Sequence, residues 1–136
     1  MPVIPWKAAH HNQVMKVLDI NHVQLAMPRG EEEQAHKFYA DLLGFTEVSK
    51  PPELGNRGGM WFESGNVQLH LCVEADFHPA RKAHPAFLVD DLELFIRRFQ
   101  ESDQEVDISQ PPLAGYKRAH VHDPFGNRIE LMEKIG

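Results

Sequence analysis

Three side chains far apart along this sequence, His22, His84 and Glu130, could act on one metal ion. His22 and His84 stand 62 residues apart, and so do Gln68 and Glu130. An equal offset at two separated anchors points to a duplicated unit, and a pseudo-two-fold axis through it would bring the three side chains together. Two neutral imidazoles and an ionised carboxylate form a ligand set for a divalent transition metal that leaves coordination positions open for water or substrate. A fourth ligand would be His70 or Gln68. Imidazole binds such metals better than a carboxamide, whereas the repeat favours Gln68, the counterpart of Glu130. The plainer alternative makes each histidine a hydrogen-bonded structural residue and Glu130 a solvated edge carboxylate.

The elements that must position these groups follow from periodicity. Residues 17–27 alternate as a strand, with Asn21, Val23, Leu25 and Met27 on one face and His22 and Gln24 on the other. After Pro28-Arg29-Gly30 and the acidic run Glu31 to Glu33, Ala35, Phe38, Tyr39 and Leu42 form a helical stripe that ends at Gly44. Residues 45–49, 58–64 and 66–74 read as strands, the last two joined by a Gly65-Asn66 turn. In residues 66–74, Gln68, His70, Cys72 and Glu74 lie opposite Val67, Leu69, Leu71 and Val73. The order then repeats. Residues 84–89 read as a strand, and Asp90-Asp91 can cap a helix with the stripe Leu92, Phe95, Ile96 and Phe99. Residues 105–109, 116–122 and 128–133 read as three more strands. The chain is thus an α+β protein of two strand-helix-strand-strand-strand modules, about 17–75 and 83–133. They form a single domain over 17–133, preceded by an N-terminal extension, 1–16. Each helix can cover the aliphatic face of its sheet, leaving the polar face free to line a concavity.

Composition narrows the classes of partner. The chain has 136 residues, 14 basic and 20 acidic side chains and a net charge of −6, a poor match for nucleic acid or an anionic membrane. Met1 to Met15 has no apolar stretch of the signal-peptide kind, and no run approaches the ~20 apolar residues of a membrane span. The adjacent His10 and His11 read as a solvated pair. One cysteine, Cys72, allows no internal disulfide and fits a reducing, cytoplasmic setting.

Other side chains suit substrate contacts. Gln24 points into the expected concavity, and Trp61 with Phe62 could hold a flat apolar ligand. Arg57, Arg81 and Arg118 could meet an anion, with solvated surface charge as the plain alternative. Tyr116, His120 and His122 share a strand face and could support a reacting centre.

The pieces Asn21-His22-Val23-Gln24-Leu25, Phe38-Tyr39-Ala40-Asp41-Leu42-Leu43-Gly44, Ala83-His84-Pro85-Ala86-Phe87 and Asp123-Pro124-Phe125-Gly126-Asn127-Arg128-Ile129-Glu130 resemble the vicinal oxygen chelate superfamily. It groups glyoxalase I, extradiol dioxygenases, methylmalonyl-CoA epimerase, fosfomycin-resistance enzymes and bleomycin-resistance proteins. The resemblance implies paired βαβββ modules in a cupped mixed sheet with helices on the outer face, often completed by a homodimer. It implies one divalent metal (zinc, nickel, manganese or iron) on His22, His84 and Glu130. The strand that closes the first module carries Gln68 where many glyoxalases carry a glutamate, so one of two carboxylates that could serve as base is missing. The expected activity is a glyoxalase-like lyase or isomerase reaction on a small substrate with vicinal oxygens, with Glu130 as ligand and base. Gln24, Trp61, Arg118 and Tyr116 would be its substrate contacts. The rivals are an iron-dependent extradiol dioxygenase and a non-catalytic binding or resistance protein.

Overall fold

The alternating segments hydrogen-bond into two mixed sheets. The computed structural model describes residues 14–136; the His10–His11 pair lies outside them. The first module runs β1 (Val23–Met27), α1 (Glu32–His36) with a π-helical continuation (Lys37–Leu42), β2 (Thr46–Val48), β3 (Met60–Ser64) and β4 (Val67–Val73). The second runs β5 (Ala86–Leu88), α2 (Leu92–Glu101), β6 (Tyr116–His122) and β7 (Arg128–Lys134). The sheets are ordered β1-β4-β3-β2 and β5-β7-β6, each with one parallel outer pair, β1 with β4 and β5 with β7. A parallel pair needs a crossover, and the module helix with its following strands supplies it.

Three local differences from the sequence reading have physical causes. Residues 14–22 form no ladder, and Val17, Leu18 and Ile20 are exposed. The pairing of β1 begins with Val23 opposite Leu69, so alternation further upstream has no partner within the chain. Residues 105–109 make only the single bridge Asp107–His120. The Asp107 carboxylate turns the chain there by accepting from Ser109 N at 2.8 Å, and Pro111-Pro112 cannot extend a ladder. The first helix widens, with Leu43 N donating to Phe38 O five residues back. The extra residue per turn makes Leu43, not Leu42, the buried fourth member of the stripe Ala35, Phe38, Tyr39.

The aliphatic strand faces meet the helices in one core shared by both modules. Met27, Met60, Phe62, Leu69 and Leu71 of the first sheet and Ala119, Val121, Ile129 and Leu131 of the second close over Phe38, Tyr39, Leu92 and Phe99. The Phe38–Phe99 and Phe45–Phe87 ring pairs cross the module boundary edge to face. Asp91 caps α2, its Oδ1 accepting from Leu94 N at 3.1 Å.

A buried polar knot locks the modules together. Tyr39 Oη donates to Asp123 Oδ2 at 2.6 Å, and Asn127 Nδ2 donates both to Asp123 Oδ2 at 2.9 Å and to the Ala26 carbonyl at 2.8 Å. Asp123 Oδ1 accepts from the amides of Phe125 and Asn127. The turn between β6 and β7 is thereby fixed to both the helix and the first strand of the other module. Burial and the adjacent Asp123 carboxylate push the Tyr39 hydroxyl well above its ordinary range, which keeps it a donor. Tyr39→Phe is expected to cost about 1–2 kcal/mol. Asp123→Ala is expected to cost more, about 2–4 kcal/mol, because it strands several buried donors at once. Urea unfolding of both variants and their double variant measures the costs and their coupling.

Candidate functional site

Glu130 sits in the middle of the three-stranded sheet, only 4% exposed, on the face away from the core. The ladder sets its neighbours: Ala86 of β5 on one side and His120 of β6 on the other. Ala86 is small, and His84, two residues earlier, brings its ring over this face to the carboxylate. His84 Nε2 lies 2.9 Å from Glu130 Oε1, and His120 Nε2 lies 3.4 Å from the same oxygen. Arg118, also on this face of β6, donates from Nη1 to Glu130 Oε2 at 3.1 Å and from Nε to the Pro111 carbonyl at 2.9 Å. One carboxylate oxygen therefore belongs to the guanidinium, and the other faces two imidazoles.

These groups fit a divalent ion by their donor chemistry. Ligand atoms around such an ion, at bonds of about 2.0–2.2 Å, stand roughly 3–3.5 Å apart. The ligand atoms of His84, His120 and Glu130 lie within 4.8 Å of one another. His84 Nδ1 lies 2.6 Å from the Lys82 carbonyl, which requires a proton on Nδ1. His84 Nε2 and His120 Nε2 thus converge on one carboxylate oxygen, an arrangement that a cation held between the three would also satisfy. His120 Nδ1 is buried with no hydrogen-bond partner.

Electrostatics favours the ligating forms. Burial alone would raise the Glu130 carboxyl, but hydrogen bonds from His84 and Arg118 and the nearby His120 outweigh it and hold the group below the usual carboxylate range. Burial, helped by the Arg128 charge and only partly opposed by Glu130, lowers His120 and favours its neutral ring.

The polar face of the four-stranded sheet carries a second group. His70 lies buried between Trp61, stacked at 3.9 Å with parallel planes, and His22, stacked at 4.1 Å. Gln24 and Trp61 are its register partners on the two flanking strands. Burial, then the neighbouring His22, lowers the His70 ring below its ordinary value. Gln68 is exposed opposite Glu63, and Cys72 is exposed.

Among the residues singled out from sequence, the structure thus joins His84, Glu130 and Arg118 in one group and His22, His70, Trp61 and Gln24 in another. Among the described residues, the only set of three metal-binding side chains close enough to share an ion is His84, His120 and Glu130. Tyr116 is half-buried at the start of β6, on the same face as Arg118 and His120. The sequence reading makes His120 a supporting residue, whereas the ladder makes it a neighbour of the carboxylate. The turn between the last two strands held the missing signal. Asp123 N donates to Asn127 O, so His122 pairs with Arg128, and counting back two places sets His120 opposite Glu130. A cavity of about 480 Å³ opens beside His84, lined also by Val23, Gln24, Ala26, Asn127 and Arg128.

Two βαβ-type modules around a shared core, with an acid on the last strand and a histidine before the fifth, define a recognisable class. The chain belongs to the Glyoxalase/Bleomycin resistance protein/Dioxygenase superfamily, whose model matches residues 19–131. A protein assigned to the glyoxalase family from Bacillus anthracis is 43% identical, with 90% of this chain and 100% of that one covered and a TM-score of 0.82. TnmS3, an antibiotic binding protein from Streptomyces sp. CB03234, shares the fold at 23% identity, with coverages of 90% and 100% and a TM-score of 0.67. The fosfomycin resistance protein FosX from Listeria monocytogenes shares it at 12% identity, with coverages of 88% and 96% and a TM-score of 0.70. A search of curated proteins returned no match.

The Arg118–Glu130 pair generates a prediction with a definite sign. In the wild type the depressed Glu130 carboxyl contributes stability above its unfolded value near ~4.3, and this is lost as pH falls through the lower folded value. Arg118→Met leaves the carboxylate buried without its cation, at an expected cost of about 3 kcal/mol at neutral pH. That cost shrinks on acidification as Glu130 takes up a proton, and Arg118→Met combined with Glu130→Gln recovers most of it. Urea unfolding between pH 4 and 7.5 tests both statements.

Proposed function

We propose that the chain is a divalent-metal-dependent enzyme of the glyoxalase-like type, acting on a small substrate with neighbouring oxygen atoms. The observation that carries this reading is the shared approach of His84 Nε2 and His120 Nε2 to one Glu130 oxygen, with His84 Nδ1 already committed to Lys82 O. His84 and Glu130 would be ligands, as the sequence reading proposed. The other expected ligands, His22 with His70 or Gln68, stand on the other sheet and would join them across a homodimer. When bound, the ion acts as a Lewis acid that chelates two substrate oxygens and stabilises the enolate or oxyanion that develops between them.

This chain's residues supply the rest. Arg118 keeps Glu130 ionised and oriented, leaving Oε1 to hold the ion or to take a proton from the carbon next to the substrate carbonyl. Gln24, Arg128 and the remaining face of His84 line the cavity in which a substrate of a few heavy atoms would sit. Tyr116 lies further along the same strand face, and the Arg118 N–H groups not used on Glu130 and Pro111 are left for an anionic substrate atom.

A second reading rests on the Trp61–His70–His22 column. Its flat, stacked surface suits an aromatic ligand held without chemistry. The antibiotic-binding relative shows that this fold hosts binding proteins.

Metal analysis separates the readings. Protein purified without chelator or nickel resin is expected to carry about one divalent ion per chain, and Glu130→Gln is expected to lose most of it. Once a substrate is found by screening dicarbonyl, hydroxycarbonyl and epoxide compounds, Glu130→Gln should lower turnover by about 10³-fold or more. Metal-free protein that gains no affinity for zinc, nickel, manganese or iron would leave the binding reading standing. Oxygen uptake with a catechol after anaerobic iron loading would move the assignment to a ring-cleaving dioxygenase.

A further inference from the structure

We propose that Arg128 anchors an anionic group of the substrate, so that the molecule this site takes carries a carboxylate or a phosphate. This rests on the substrate cavity of the reading above and deepens it by naming the charge of what enters.

The surroundings of its guanidinium set Arg128 apart. Arg98, Arg118 and Arg128 are half-buried, whereas Arg29, Arg57, Arg81 and Arg97 are exposed. A guanidinium drawn partly out of water costs free energy unless its N–H groups find acceptors. Arg98 Nη1 donates to the Leu42 carbonyl at 3.1 Å, and Arg118 donates to Glu130 and to the Pro111 carbonyl. Among the described residues, no carboxylate lies within 4.0 Å of the Arg128 guanidinium and no oxygen accepts from it. Its planar fork matches the paired oxygens of a carboxylate or a phosphate.

The last strand puts that fork beside the acid of the site. Arg128 and Glu130 are two places apart on β7, so their side chains leave the sheet on one face with their roots roughly 6.5–7 Å apart. Ile129 between them points the other way and is buried in the core. The partner strand repeats the arrangement, with His122 opposite Arg128 and His120 opposite Glu130.

Arg128 also lines the cavity of about 480 Å³ that opens beside His84. Gln24 of β1 lines it too, and its carboxamide is a second donor for an anion. Asn127 is already committed, donating to Asp123 and to the Ala26 carbonyl. Glu74 is the one carboxylate in the lining; it is exposed and forms no ion pair among the described residues. An anion entering the cavity therefore meets a cation that no neighbouring carboxylate neutralises. Arg118 fixes the acid, and Arg128 fixes the far end of the substrate, a few bonds from the carbon that faces Glu130.

The test begins with the full chain, stripped of metal by chelation and titrated calorimetrically with glutarate and with inorganic phosphate. Arg128→Met is expected to weaken the tighter of the two by about ten-fold or more, Arg128→Lys to recover part of the loss, and Arg97→Met, on an exposed helix face, to stay within about two-fold. Tighter glutarate assigns a carboxylate to the substrate, and tighter phosphate assigns a phosphate ester. Arginine ¹⁵N spectra of the wild type give a check that does not depend on how a variant folds: the Arg128 Nε signal should move on adding the anion while that of Arg97 stays. In the substrate screen, anionic compounds should be turned over, with Arg128→Met raising KM more than it lowers kcat. Equal anion affinity in wild type and Arg128→Met, or turnover confined to uncharged compounds, overturns the proposal. So does an Arg128→Met chain that self-associates more weakly in sedimentation while its anion affinity is unchanged, because the guanidinium then serves a second copy of the chain. A chain that takes up no metal yet keeps Arg128-dependent anion binding sinks the metal reading and spares the anchor.

Discussion

A carboxylate on the middle strand of a sheet is buried from both flanks, and at Glu130 that burial organises the surroundings. An unpaired buried charge costs several kcal/mol, so the acid must gather donors from whatever the neighbouring strands present. β6 presents Arg118 and His120; the approach to β5 presents His84. The guanidinium cancels the charge, and its second bond to the Pro111 carbonyl anchors it to the loop before β6.

The rest of the fold serves this constraint indirectly. The register of β6 against β7 decides which residue faces Glu130, and the Asp123–Asn127 turn decides the register. That turn is held by the Tyr39 hydroxyl and the Ala26 carbonyl from the other module. The intermodule knot and the site are thus two ends of one hairpin. A loosened knot would free the turn that sets His120 opposite the acid, and a one-residue slip would turn every site side chain to the wrong face.

The two modules are similar without being equivalent. Val23 faces Leu69 in the first, but Ala86 faces Glu130 in the second, so the first strands differ by two places in register. Pro85 lies between His84 and the start of the second ladder. His84 is consequently free of the strand and can lean over Ala86, while His22 continues the line of β1 and stacks on His70. The matching spacing of the histidines predicted two equivalent ligands, whereas the register gives the two residues different surroundings.

Much was legible in the residues. Period-two alternation located seven strands, Gly44 and Asp91 marked helix ends, and a polar face against an aliphatic one put His70, His84 and Glu130 among the polar groups expected to converge. These are local properties, written in side-chain order and read without knowing what lies opposite. The fate of residues 17–22 and 105–109 was not local, because a strand exists only where another chain segment accepts its hydrogen bonds. His120 was hidden for the same reason: its neighbour is ten residues away across a turn. Sequence alone determined which side chains face the same way; tertiary structure decided which of them touch, because contact depends on register and on the packing that pins it.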